Sequence, residues 1–138
     1  MNPLFAAPLC ALDEMQMTED GGGLVINASK RIDASDPYIA AHFPGRTIYP
    51  GVFILETVRQ AVAAALGERS GAYPDLTAVR SLRFVGAVHP GERLVVAATV
   101  GSPGPDGTLD VDAGCRRADG SAVARVVLEF RYPAGSHD

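Results

Sequence analysis

Pro50-Gly51-Val52-Phe53-Ile54-Leu55-Glu56-Thr57-Val58-Arg59-Gln60-Ala61-Val62-Ala63-Ala64-Ala65-Leu66 is the one long run in this chain that reads clearly as a helix. Pro-Gly opens it, and Gly67 stands where a stop is expected, just past the last turn. Apolar side chains cover most of its circumference. A helix of that kind is wrapped by the rest of its domain and does not lie on the surface.

The residues before the run, His42-Phe43-Pro44-Gly45-Arg46-Thr47-Ile48-Tyr49, carry Pro and Gly too densely for regular helix. His42 is therefore expected on a loop that feeds the helix. One short helical turn is expected at Asp36-Pro37-Tyr38-Ile39-Ala40. Outside this region the chain reads as strands and turns. Gly23–Ile32 alternates, with Leu24, Ile26, Ala28 and Ile32 in phase. Leu76–Val88, Arg93–Val100, Leu109–Arg117 and Ser121–Tyr132 are further extended runs. Between them lie turns at His89-Pro90-Gly91, Pro103–Gly107 and Ala118-Asp119-Gly120-Ser121. One strand, a long helix, then four strands in succession predict an α+β fold, an antiparallel sheet wrapped around one central helix. A parallel sheet is excluded by the lack of helices between the later strands.

The chain has 138 residues, a length that fits one domain, with 1–7 and 134–138 expected to be loose termini. A net charge of −4, with Lys30 the only lysine, gives no basic face for nucleic acid. Cys10 and Cys115 lack metal-ligand spacing, so free thiols of a reducing cytoplasm are the expectation. The N-terminal stretch, broken by Pro3 and Pro8, predicts neither secretion signal nor membrane span.

Two residues could carry chemistry. Glu56 lies one to two turns into an otherwise apolar helix, and Gln60, at i+4, shares its face. Burial is expected to raise the carboxyl pKa and keep it protonated, the property of a general acid. His42, with an ordinary pKa near neutrality, is the matching base. The helix start at Gly51 and Val52 presents backbone N–H groups able to hold a carbonyl oxygen as charge develops on it. A plainer reading stands beside this one. Glu56, Arg59 and Gln60 form a solvated strip, His42 is a hydrogen-bonded loop residue, and Pro50-Gly51 is an ordinary helix start. His89, in a turn, and His137, in the tail, are poor candidates.

The order His42-Phe43-Pro44-Gly45-Arg46, then Tyr49-Pro50-Gly51-Val52, then Leu55-Glu56 and Gln60, closely resembles the beta-hydroxyacyl-ACP dehydratases of the FabZ type. Pro8–Asp13, Arg83-Phe84, Val88–Leu94 and Ala122–Phe130 extend the resemblance over most of the chain. The resemblance implies a hotdog fold and a dimer whose active sites are shared, His42 from one subunit and Glu56 with Gln60 from the other. It implies dehydration of 3-hydroxyacyl thioesters carried on the phosphopantetheine arm of acyl carrier protein. His42 would remove the proton next to the carbonyl, the Gly51 N–H would hold the oxygen, Glu56 would assist loss of the hydroxyl and Gln60 would position Glu56. Val52 belongs to the same helix start, and Phe43, Pro50 and Phe53 are candidate walls of an acyl tunnel. Neither metal nor organic cofactor is required. Glu in place of Asp at position 56 favours dehydration without isomerisation.

Thr47 stands where the family usually has proline, and Tyr49 where methionine is common. These departures leave a polyketide or polyene pathway open beside fatty-acid synthesis. A partner subunit in a heterodimeric dehydratase and a hotdog acyl thioesterase are the rival readings. The family often assembles further, as trimers of dimers (hexamers), a step not expected of this chain. Arg46, Arg80, Arg83, Arg116 and Arg117 are the pool from which a patch for the acidic carrier protein would be drawn.

Overall fold

The structure, a computed structural model, describes residues 12–20, 23–33 and 51–133. The expected turn at Asp36–Ala40, the loop with His42, and both termini lie outside the described residues. Six strands, β1 (Glu14–Asp20), β2 (Gly23–Arg31), β3 (Asp75–Phe84), β4 (Arg93–Val100), β5 (Thr108–Arg117) and β6 (Ala122–Arg131), form one sheet. Helix α1 (Gly51–Ser70) stands between β2 and β3 in the chain. The sheet order is β1-β2-β4-β5-β6-β3, and every neighbouring pair is antiparallel.

Helix α1 touches β1 and β2 near one edge of the sheet and β3 at the other. A flat sheet of six strands could not reach one helix from both edges, so the sheet curls around it. The core follows. Leu24, Ile26 and Ala28 of β2 face inward at every second position, as do Leu94, Val96, Ala98 and Val100 of β4. Val111, Ala113 and Cys115 of β5 and Val126, Leu128 and Phe130 of β6 do the same. Against them lie Phe53, Ile54, Val58, Ala61, Val62, Ala65 and Leu66 of the helix. The predicted α+β arrangement is therefore observed.

Three details differ from expectation. Strand β1 was not anticipated, because Glu14-Met15-Gln16-Met17-Thr18-Glu19-Asp20 is mostly polar. It is an edge strand, and only Met15 and Met17, on alternate positions, pack onto the core. Helix α1 does not stop at Gly67 but runs a turn further. The Tyr73 ring covers Gly67 so closely that a β-carbon there would lie 2.2 Å from it, whereas Gly71, at φ +79°, turns the chain out. Finally, β3 ends at Phe84, short of Val88. The N–H groups of Val85 and Gly86 both donate to the Val123 carbonyl, and a β-carbon at Gly86 would meet the Ala122 oxygen at 2.6 Å.

The three expected turns are present. Gly91, Gly107 and Gly120 take positive φ of 89°, 82° and 92°. At the β5–β6 hairpin the Gly120 N–H donates to the Arg117 carbonyl, and Asp119 accepts from the Ser121 N–H at 2.8 Å. No helix among the described residues is long and apolar enough to cross a membrane.

Candidate active site

The helix begins at Gly51, as its Pro-Gly start predicted, with no acidic residue in its first turn to occupy the positive pole. Phe84, the last residue of β3, brings its ring over this end. A β-carbon added at Gly51 would lie 2.9 Å from it. The missing side chain at Gly51 lets the Phe84 ring lie close against the backbone. Phe84 itself was not among the expected site residues. Its contact with Gly51 spans two elements, which no local pattern records.

Along α1 every described side chain through Gly67 is at least partly covered. Leu55, Glu56, Arg59, Gln60 and Ala64 are the more open ones past the first turn, and they recur at three- and four-residue spacing along one stripe. Glu56 sits in it with a side chain 30% exposed. The Glu56 carboxylate accepts three hydrogen bonds, from Arg59 Nε at 2.8 Å, Arg59 Nη2 at 2.6 Å and Gln60 Nε2 at 2.8 Å. The spacing of Glu56 and Gln60 thus does what was expected of it.

The protonation state does not. Glu56 is only partly buried, and the Arg59 guanidinium holds its carboxyl below the ordinary glutamate value. Partial desolvation opposes this but is outweighed, and the Gln60 amide adds to the lowering. The expected neutral acid is, within one protomer, a carboxylate in a forked ion pair. The sequence did place Arg59 in the strip, and its i+3 spacing from Glu56 was the available signal.

The remaining expected residues divide in two. Phe53 is buried in the core beside Ile54. Gly51 and Val52 form the first helical turn. His42, Phe43 and Pro50 lie outside the described residues, so the pairing of His42 with Glu56 does too. His89 is exposed and turned toward Glu92, whose carboxylate accepts from the His89 N–H at 2.7 Å. Cys115 is buried, and burial pushes its thiol up to about 12, which removes it as a nucleophile near neutral pH. Among the described residues no group of three or more His, Cys, Asp or Glu could hold a metal ion.

The arginines differ in their commitments. Arg80 binds Glu129 and Asp110, and Arg117 donates to the Ala87 carbonyl. Arg83 and Arg116 make no ion pair among the described residues.

Comparison with known proteins completes the picture. The profile of the FabA-like domain matches residues 4–125. A 3-hydroxyacyl-[acyl-carrier-protein] dehydratase FabZ of Syntrophotalea carbinolica is 30% identical over 135 residues, covering 95% of this chain and 89% of that one. The FabZ of Verminephrobacter eiseniae is 37% identical over 81 residues, and the match covers 54% of each chain, about half the length of that relative. Among solved structures, a hot-dog-like protein from Thermanaerovibrio acidaminovorans superposes with a TM-score of 0.67 at 14% identity, covering 83% of this chain and 84% of the other. The curled sheet and central helix are thus a hotdog fold.

Proposed function

This chain belongs to the FabA-like domain family, in its FabZ-type group of hotdog dehydratases, and we propose that it removes water from 3-hydroxyacyl thioesters carried on acyl carrier protein, as fatty-acid synthesis requires. The observation that carries the proposal is the seating of Glu56. It lies on the half-open stripe of α1, fixed by Gln60, in the turn after a helix start whose first backbone N–H groups have no partner within the helix itself.

The chemistry assigned to these groups is simple. His42 takes the proton from the carbon next to the thioester carbonyl. The electron pair left behind forms the double bond as the bond from the third carbon to its hydroxyl breaks. Glu56, carrying a proton, hands it to the departing hydroxyl, and water leaves. The N–H at Gly51 steadies the carbonyl oxygen through the step. Phe53, with Phe43 and Pro50, belongs to the wall of the acyl slot, and Val52 to its helix start. The reaction needs no metal or organic cofactor, since the pantetheine arm arrives with the carrier protein. The setting is the cytoplasm.

The working unit is a dimer of this chain, with His42 and Glu56 supplied to each site by different subunits. Strand β3 supports this. It is an edge strand, and Val79, Leu82, Phe84 and the following Val85 are 40–60% exposed, an apolar row that a partner would cover. Arg83 and Arg116, which make no ion pair among the described residues, are cations available to an acidic carrier protein.

The decisive experiment is mass spectrometry of carrier proteins loaded with 3-hydroxyacyl chains of graded length. Loss of one water from the acyl group is expected. Release of free carrier protein would mean hydrolysis and would overturn the proposal in favour of a thioesterase. Activity appearing only when a second hotdog subunit is added would favour the heterodimeric reading.

Gly51→Ala offers a local check. The added methyl meets the Phe84 ring, which is half exposed and can yield, so the fold should survive. Approach of the carbonyl to the backbone N–H is obstructed, and kcat/KM should fall on the order of 10²-fold. Unchanged kinetics would remove the helix start from the site.

A further inference from the structure

We propose that Arg59 is a positioning residue for the dehydration, a guanidinium clamp that grips both oxygens of Glu56, holds it as a carboxylate and must loosen for that group to serve as a proton-loaded acid. The inference rests on the function proposed above and adds a residue to it. Its basis is geometric. Arg59 Nε meets one carboxylate oxygen at 2.8 Å and Nη2 meets the other at 2.6 Å, a planar fork on a planar acceptor, while Gln60 takes a second position on the latter oxygen. Protonation of either oxygen takes up one of its lone pairs and removes the negative charge that draws the guanidinium, so a carboxylic acid accepts this fork far more weakly than a carboxylate does. The clamp and the proton-loaded acid therefore oppose one another at Glu56.

Among the described residues no other charge sets this balance. On the strands packed against α1, Glu14 pairs with Arg93, Glu19 with Arg69, Lys30 with Asp13, and Arg80 with Glu129. Asp75, Arg31 and Arg83 of these strands are exposed, and none of these groups acts on the Glu56 carboxyl. Arg59 and Gln60 govern it against the cost of partial burial. Arg59 is itself 39% exposed, so it has room to swing outward when substrate enters.

Two consequences can be read separately. In carbon-13 NMR titration of labelled carboxyls, with the Glu56 signal identified by its loss in Glu56→Gln, the midpoint of Glu56 should rise in Arg59→Ala. It should return most of the way in Arg59→Lys, which restores a cation without the fork. An unmoved midpoint overturns the clamp whether or not the protein dehydrates anything. In kinetics on the alkaline side, the rate follows the protonated fraction of Glu56. Each unit gained by the carboxyl midpoint multiplies that fraction about tenfold. The kcat of Arg59→Ala at pH 8.5 should therefore exceed wild type severalfold, with KM little changed. A raised midpoint with an unchanged or lower kcat overturns the positioning role. A raised midpoint in a protein that never forms an enoyl product sinks the dehydratase reading and leaves the clamp standing.

Discussion

Co-expressed His42→Ala and Glu56→Gln chains are expected to recover about a quarter of the wild-type rate, although neither variant works alone. Each substitution removes one of the two proton-transfer groups and should lower kcat by about 10²–10⁴-fold. If each site draws its imidazole from one subunit and its carboxyl from the other, a mixed dimer contains one site with both groups intact and one with neither. Random pairing makes about half of the dimers mixed, and half of their sites are competent, which gives about one quarter. Separately purified chains mixed without subunit exchange should show no recovery. Absence of recovery in demonstrated mixed dimers would mean that both groups act within one protomer. Glu56→Gln suits the experiment because its amide keeps an oxygen for Gln60 and Arg59, at a half-open position outside the buried cluster.

The largest expected loss of stability comes from Phe130→Ala. Phe130 is fully buried on β6, opposite Leu76 of β3 and Leu109 of β5, and is among the largest side chains of the core. Truncating such a ring forfeits its transfer free energy and leaves a cavity that a closely packed sheet only partly closes, about 3–5 kcal/mol in all. In a domain of this size that corresponds to a fall in Tm of roughly 10–20 °C. Strand β3 depends on this position. It is held in the sheet by β6 alone, with register shifts between Leu76 and Ala78 and between Val79 and Ser81. Loss of Phe130 should therefore loosen the β3 edge and the Phe84 ring with it. Hydrogen exchange at β3 amides should accelerate more than at β4. A fall in Tm below a few degrees would show that the core repacks around the gap.

The Arg59–Glu56 fork and the exposed β3 edge concern the same event from two sides. The stripe holding Glu56 is half open in one protomer, and so is the apolar row of β3. A second subunit that covered both would lower the water content around the stripe, which would weaken any carboxylate left there and favour the protonated form. Assembly and release of the clamp are thus expected to act in the same direction.

Much of this was legible in the chain itself. Pro50-Gly51 before a run of apolar residues determined where α1 begins, and the two-residue alternation of β2 determined which of its side chains enter the core, because those periods are local geometry. The turns at Gly91, Gly107 and Gly120 were equally local, since only their φ values were at issue. The order from His42 to Gln60 sufficed to indicate the family. The tertiary structure alone decided the rest. It made a strand of the polar Glu14–Asp20 segment by pairing it with β2, carried the helix past Gly67 by laying Tyr73 against it, and set the Phe84 ring over Gly51. It also decided the state of Glu56. Whether a carboxyl on an apolar helix is neutral or ionised depends on how much water and which donors surround it, and that is fixed by side-chain directions in space, which spacing along the chain does not determine.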